Sequence, residues 1–342
     1  MSAAPRMRCD LAVALPAVWQ DRGPIAWLLL PIALAFAVAV ACRRFLYRRG
    51  ILASLRLSVP VIVVGNITAG GAGKTPLCLW LVDRLIRAGR RPGIVSRGYG
   101  AASRSACEVS VDADPAAVGD EPLLLRRRSG CPVFVGRDRV AAARRLLAAH
   151  PGCDVIVADD GLQHYRLARD VEIAVVDGRG LGNGWPLPAG PLREPAARLR
   201  SVDAVLLNGL GQSPLAAPRT YRMTLEGRRF QRLDDPGRSC PPADLRGRRL
   251  HACAGIGAPQ RFFDYLTSLG LEFVAHPFPD HHRYSASDLA FSGCDAILMT
   301  EKDAIKCAGL SPHPVWVLPV TAVVEAGLVE FLMEKIDGRP PA

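Results

Sequence analysis

The chain has 342 residues, a net charge of +11 and ten cysteines. That length allows one large or two ordinary domains, and such a basic balance suits an anionic membrane, an acidic substrate or nucleic acid. No basic stripe with interleaved aromatics and no nucleic-acid module is present, which argues against nucleic acid. The cysteines show neither C-x-x-C pairs nor Cys/His clusters at zinc spacing, so they read as buried thiols of a reducing compartment. The charge is almost all arginine: the only lysines are Lys74, Lys302, Lys306 and Lys335.

Residues 1–22 form an irregular extension carrying Arg6, Arg8 and Arg22. Gly23 to Cys42 then runs twenty residues without a charge, about 30 Å of helix, the thickness of a bilayer core. Its Leu, Ile, Phe and Val residues contribute roughly −3 to −5 kcal/mol toward insertion, partly offset by Gly and two prolines. A buried core helix rarely runs this long without a polar face. A cleaved signal peptide conflicts with the nucleotide site that follows, which belongs in the cytoplasm. Membrane association remains, as a span or as an interfacial helix kinked at Pro31. Arg43, Arg44, Arg48, Arg49 and Arg56 follow closely, which places the C-terminal side in the cytoplasm and favours anionic headgroups.

Val59 to Pro76 reads VPVIVVGNITAGGAGKTP. A buried strand, a glycine-rich turn, Lys-Thr and an amphipathic helix is the order of a phosphate-binding P-loop. The glycines let backbone N–H groups approach phosphate oxygens, and the helix N-terminus adds partial positive charge there. Thr68, Ala69, Gly70, Gly71, Ala72, Gly73, Lys74 and Thr75 form the expected cradle. Lys74 would reach the β- and γ-phosphates, and the Thr75 hydroxyl would ligate Mg²⁺. Thr68 stands where the usual motif has its first glycine.

Residues 43–213 alternate strands and helices, which predicts a P-loop-type parallel α/β lobe. A short strand at Pro92–Ser96 leads into SRGYG. Gly119 to Pro122, GDEP, opens a helix with Asp120 and Glu121 in its first turn. Those acids either complement the helix dipole or, in the case of Asp120, accept a proton from an attacking hydroxyl. Asp154 to Ala158 is a strand delivering Asp159 and Asp160 to the sheet edge where ligands of open α/β sheets bind. A strand-end acid beside a P-loop holds Mg²⁺; the bland alternative is a helix-capping pair. Val171 to Asp177 is another strand. The Gly/Pro-rich stretch from Gly178 to Pro195 is too long for a connector, and its Arg193-Glu194 could pair with each other or reach phosphate or metal.

Residues 214–244 alternate like a two-stranded ribbon and mark the domain boundary. Residues 245–342 form a second, smaller α/β lobe with a helix at Gln260–Leu269 and a closing helix at Val323–Ile336. Asp280-His281-His282 follows one of its strands; a His beside an Asp could orient or tune a general base across a cleft, though spacing alone favours a solvated loop. Thr300-Glu301-Lys302-Asp303 has its lysine one place late for a guanine reader. Ala69 stands where partition-type ATPases carry a lysine.

Taken in order, VPVIVVGNITAGGAGKTP, SRGYG, GDEP, DDGLQHYRLARDVEIAVVDG, GNGWPLPAGPLRE, AGIG, FPDHH and TEKDAIK resemble the tetraacyldisaccharide 4'-kinase family of lipid A biosynthesis. The match covers nearly the whole chain from Pro24, and the family accepts Thr at the position of Thr68. The resemblance implies two α/β lobes joined by a β-ribbon. It implies transfer of the ATP γ-phosphate to the 4'-hydroxyl of an acylated glucosamine disaccharide 1-phosphate, at the inner membrane with the lobes on the cytoplasmic face. It also implies Asp120 as catalytic acid–base with His281 as its partner, and Thr75, Asp159, Asp160 and Glu194 as Mg²⁺ and phosphate ligands. A membrane-tethered P-loop ATPase acting on a protein partner is the competing reading. It lacks an explanation for the DDGLQH and LPAGPLRE segments.

Overall fold

The computed structural model describes residues 18–98, 105–209 and 217–338. Most of the N-terminal extension, the Tyr99-Gly100 end of SRGYG and the first residues of the expected ribbon lie outside the described residues.

The first lobe is built on a nine-stranded sheet. Its strands are β1 (Val61–Gly65), β2 (Pro92–Ser96), β3 (Cys107–Glu108), β4 (Val133–Val135), β5 (Val155–Asp159), β6 (Val171–Asp177), β7 (Ala204–Asn208), β8 (Thr220–Glu226) and β15 (Thr321–Val324), ordered β15-β8-β7-β6-β1-β5-β2-β4-β3. Only the two edges, β15 and β3, run antiparallel to their neighbours. β1 sits between β5 and β6, all parallel. Its unbroken apolar run follows from that position, because both faces of the strand are covered. Ile62 and Val64 point into one core cluster, Val61 and Val63 into the other. The chain leaves β1 toward β2 on one side and later fills β6 and β7 on the other, so the end of β1 is the crevice of an open sheet where ligands bind.

The second lobe carries a six-stranded sheet. It contains β9 (Phe230–Arg232), β10 (Ser239–Cys240), β11 (Leu250–Ala254), β12 (Phe273–Pro277), β13 (Ala296–Thr300) and β14 (Val315–Leu318), ordered β10-β9-β14-β13-β11-β12.

The boundary differs from the expectation at both ends. The alternating stretch around 220–232 is not one ribbon. β8 pairs in parallel with β7 in the first sheet, while β9 pairs antiparallel with β14 in the second. The closing segment begins as a strand, with β15 pairing on β8, and only then becomes a helix, Leu328–Asp337. Leu328, Phe331, Leu332 and Ile336 of that helix are buried in the first lobe's core. The second lobe is thus an insertion entered near residue 227 and left near residue 320. Local alternation is blind to which sheet a strand joins, since pairing partners are chosen by tertiary contact.

The apolar N-terminal segment forms helix α1 (Pro24–Arg48), longer by a basic turn than the charge-free stretch. Its 25 residues extend about 37 Å. Ala26 and Ala33 are fully buried, while Ile25, Trp27, Leu28, Ile32, Leu34 and Val38 are exposed. Both ends of α1 touch the first lobe. Trp27 meets Trp185 edge-on at 4.9 Å, and near the other end Tyr47 packs on Tyr165 at 5.9 Å. Arg44 donates to the Ser201 hydroxyl at 2.7 Å. The helix therefore lies along the lobe, one thin face packed and a broad apolar face uncovered.

If the C-terminal helix belongs to the first lobe's core, Leu332→Ala should lower the unfolding free energy by about 2–5 kcal/mol. Urea unfolding in detergent checks this. An unchanged midpoint would place that helix outside the core.

Candidate active site

Helix α2 (Lys74–Arg87) starts where the glycine loop ends. Its N-cap is Gly73, at φ 91°, a conformation that side-chain-bearing residues avoid. A Cβ there would lie 2.5 Å from Asn208 Nδ2. Asn208 ends β7 and donates instead to the Ala72 carbonyl at 3.0 Å. On the other side of the loop, buried Asn66 donates to the Thr68 carbonyl at 2.8 Å and to the Gly70 carbonyl at 3.2 Å. The long Gly/Pro stretch walls the same loop. Ala69 N–H donates to Pro191 O at 2.8 Å, and Arg193 N–H to Ile67 O at 2.7 Å. Arg179 donates to Gly71 O at 2.9 Å and is itself held by Asp177. The phosphate cradle is thus preshaped by side chains that bind its carbonyls and, at Ala69, by a backbone bond to Pro191.

Lys74 donates to Asn66 Oδ1 at 3.1 Å and pairs with Asp160 at 3.2 Å. Asp160 pairs as well with Arg193 at 3.2 Å. Burial alone would raise the Asp160 carboxyl. The Lys74 and Arg193 charges outweigh it and hold the group at about 2. Asp159, fully buried, accepts from the Ser96 hydroxyl at 3.1 Å and from the Cys78 thiol at 3.7 Å. Burial, with the Glu121 and Asp160 charges nearby, pushes it well above the usual carboxylate range. The two neighbouring acids are driven apart in acidity because one has cations and the other only neutral donors.

Glu194 is not brought to this pair. It accepts from the Tyr165 hydroxyl at 2.9 Å and pairs with Arg198 at 3.1 Å. Its contacts anchor the loop that delivers Arg193 to Asp160.

Asp120 and Glu121 open helix α3 (Asp120–Ser129), and here the second lobe completes the site. His281 Nδ1 lies 3.3 Å from Asp120 Oδ2, and Lys306 Nζ lies 3.4 Å from the same oxygen. Lys302 pairs with Glu121 at 3.2 Å and Asp280 at 3.0 Å, and approaches His281 Nε2 at 3.3 Å. Lys306 is backed by Asp303 at 3.3 Å, a fully buried carboxylate that also accepts from Gly255 N–H. Burial would raise Asp120; the His281 bond and the Lys306 charge prevail and hold it below its ordinary value. The lobes meet at backbone distance: a Cβ on Gly257 would sit 3.1 Å from Gly71 N. Asp160 at φ 47° and His281 at φ 61° are the non-glycine residues with positive φ among the described ones, and strained backbone of this kind gathers at functional sites.

A cleft of about 650 Å³ separates the lobes beside the cradle, lined by Gly71–Pro76, Glu121, Asn208, Phe262, Tyr265 and Lys302 among others. Apolar walls next to a phosphate loop suit a nucleotide base. The described residues contain no group of three or more His, Cys, Asp or Glu side chains placed to hold a metal by themselves. A hydroxyl and one or two carboxylates are what Mg²⁺ takes when phosphates supply the rest, and the side chains of Thr75, Asp159 and Asp160 are of those types.

The structure pairs Lys74 with Asp160, next to Asp159, pairs Asp120 with His281 from the other lobe, and sets Thr75 in the wall of the cleft. Ser96, Asn66, Asn208, Lys302 and Lys306 were not singled out in advance. For the two lysines a signal existed: in a chain with 43 basic residues and four lysines, three of the four stand at this site.

A phosphate cradle, a strand-end acid pair and an acid–histidine pair across a cleft define a P-loop phosphotransferase. The profile of the family "Tetraacyldisaccharide-1-P 4'-kinase" matches residues 25–337, and the chain belongs to that family. Relatives from Azoarcus sp. (strain BH72) and Dechloromonas aromatica, both named tetraacyldisaccharide 4'-kinase, are 56% and 54% identical over 96% and 97% of this chain and 97% and 100% of their own. A crystal structure of LpxK from Aquifex aeolicus in complex with ATP matches with a TM-score of 0.79 and 30% identity, covering 91% of this chain and 99% of that one.

Replacing Lys74 by Ala removes one charge-assisted phosphate bond and should weaken ATP binding about 10- to 100-fold. Calorimetric titration with ATP reads this, and an unchanged Kd would remove Lys74 from the nucleotide site.

Proposed function

We propose that Asp120 is the general base of an ATP-dependent lipid kinase that phosphorylates the 4'-hydroxyl of a tetraacyldisaccharide 1-phosphate. The observation that carries this reading is the Asp120–His281 contact across the lobes, 3.3 Å long, beside the phosphate cradle. The cradle amides and Lys74 bind the nucleotide phosphates. Thr75, Asp159 and Asp160 would hold Mg²⁺, which supplies neutralisation of phosphate charge when bound. Glu194 keeps Arg193 on Asp160 and so shapes the metal side from behind.

Among the described residues, the bonds to Asp120 fall on Oδ2. Oδ1 is left to take the proton of the sugar hydroxyl. That O–H bond breaks as the hydroxyl oxygen bonds to the γ-phosphorus, and the bond from phosphorus to the ADP oxygen breaks in line. A depressed Asp120 is ionised at neutral pH and ready to accept; its role is to orient the hydroxyl and receive the proton late in a loose transition state.

Membrane binding follows from α1. Its exposed apolar face and the arginines after it suit the headgroup boundary of an anionic leaflet. Because both ends of α1 rest on the first lobe, the reading is a helix lying in the plane of the cytoplasmic leaflet of the inner membrane, not an upright span. The acyl chains of the substrate occupy the same leaflet, so the enzyme works at the surface where the hydroxyl emerges.

The test is transfer of labelled phosphate from ATP to the purified lipid disaccharide in detergent. Asp120→Asn should lower kcat by about 10²-fold or more; an effect confined to KM would make Asp120 a binding residue. The pH profile gives a second readout. Since the folded-state Asp120 value lies below the ordinary one, the acid limb of kcat/KM should fall below the usual carboxylate range, with activity lost as pH drops through the folded value. Lys306→Met removes a cation that lowers Asp120 and should move that limb to higher pH. Separately, deleting residues 1–42 should release the protein from membranes in a sedimentation assay; retention at low salt and high salt alike would locate the anchor elsewhere.

A further inference from the structure

We infer that Lys302 fixes the tautomer of His281 and is therefore a positioning residue for the proposed base Asp120. The inference rests on the Asp120–His281 reading above.

The chemistry of the two ring nitrogens decides it. His281 Nδ1 faces Asp120 Oδ2 at 3.3 Å, and Nε2 faces Lys302 Nζ at 3.3 Å. An ammonium has three N–H donors and no lone pair to accept with. A bond between Lys302 and Nε2 therefore requires the lone pair on Nε2. Neutral imidazole carries one proton and one lone pair, so the proton is on Nδ1 and is donated to the Asp120 carboxylate. An imidazolium would set an Nε2–H against the ammonium, two positive donors with nothing between them.

One neighbour pulls the other way. Asp280 Oδ1 lies 3.9 Å from Nε2, beyond hydrogen-bond reach, and its carboxylate is already engaged by Lys302 at 3.0 Å. The ammonium is thus nearer to Nε2 than the Asp280 carboxylate is. Glu121, from the first lobe, holds the same ammonium at 3.2 Å. The lysine side chain is 16% exposed, and two carboxylates keep it charged against burial. The strained backbone at His281, φ 61°, aims the ring into this frame.

The consequence is directional. Asp280, His281 and Lys302 all belong to the second lobe, so that lobe carries a preset Nδ1–H donor to Asp120. With Lys302 in place, His281 cannot pass a proton onward through Nε2. The proton taken from the sugar stays on Asp120 until the product leaves.

The experiment uses the full chain in detergent with ¹⁵N-labelled imidazoles. The chain has seven histidines, and the spectrum of His281→Ala identifies the signal. Wild type should show neutral His281 protonated on Nδ1. Lys302→Met should shift it to the Nε2–H or doubly protonated form and lower kcat about 10- to 100-fold. Lys302→Arg, also a pure donor, should keep the wild-type tautomer. An Nε2–H or imidazolium signal in wild type overturns the proposal, as does an unchanged tautomer in Lys302→Met. If Lys302→Met does not fold, the wild-type and Lys302→Arg spectra decide. Full activity of His281→Ala would instead sink the dyad reading and leave the tautomer result standing.

Discussion

Two adjacent carboxylates at the end of a buried strand set the conditions for the rest of this molecule. Asp159 and Asp160 close β5 beside the phosphate loop, and both are taken largely out of water. Buried charges persist only when paired or hydrogen-bonded. The chain meets that demand unevenly. Asp160 receives Lys74 from the loop and Arg193 from the distant Gly/Pro stretch. Among the described residues, Asp159 accepts from a hydroxyl and a thiol and has no direct ion pair. Asp160 is thus held ionised by two cations, while Asp159 is pushed toward its neutral form. The length of the Gly178–Pro195 stretch follows from this. It must reach across the sheet edge to present Arg193 while its backbone braces the loop at Ala69.

The same constraint explains why two lobes are needed. Asp120 and Glu121 sit at the first lobe's edge, and their cations, Lys306 and Lys302, come from the second. A further pair, Arg128 with Glu301, joins the lobes behind them. Each ammonium serves several partners around a point: Lys302 meets Glu121, Asp280 and His281, and Lys306 meets Asp120 and Asp303. The second lobe is inserted between β8 and β15, two strands of one sheet, so two chain crossings tether it.

Much of the first lobe was legible in the residues. Continuous apolar runs gave β1, β5 and β6, because parallel strands covered on both faces need no polar side. Glycine spacing and Lys-Thr gave the cradle, because only that backbone can approach phosphate. Less legible was anything set by pairing across the lobes. The Asp280-His281-His282 stretch looks like a solvated loop from its own composition, and only its seat against Asp120 makes it part of a site. Lys302 lies in a motif whose spacing resembles a failed guanine reader, and Lys306 follows just after it. Glu194 carries the charge of a ligand but turns to Arg198 and Tyr165, a choice made by a packed neighbourhood 29 residues away in the chain.

By itself the sequence determined the nucleotide half of this protein: a phosphate loop between a buried strand and a helix, a strand ending in paired acids, and an apolar, arginine-flanked helix before them. Those features are local, and local features are governed by backbone conformation, hydrophobic run length and charge. Tertiary structure alone decided which acids are neutralised and by what. It placed the C-terminal helix back in the first core, laid α1 along the lobe, and turned His281 and Lys306 onto Asp120 and Lys302 onto Glu121. Electrostatic energies depend on distance and burial, and neither exists until the two lobes have folded against each other.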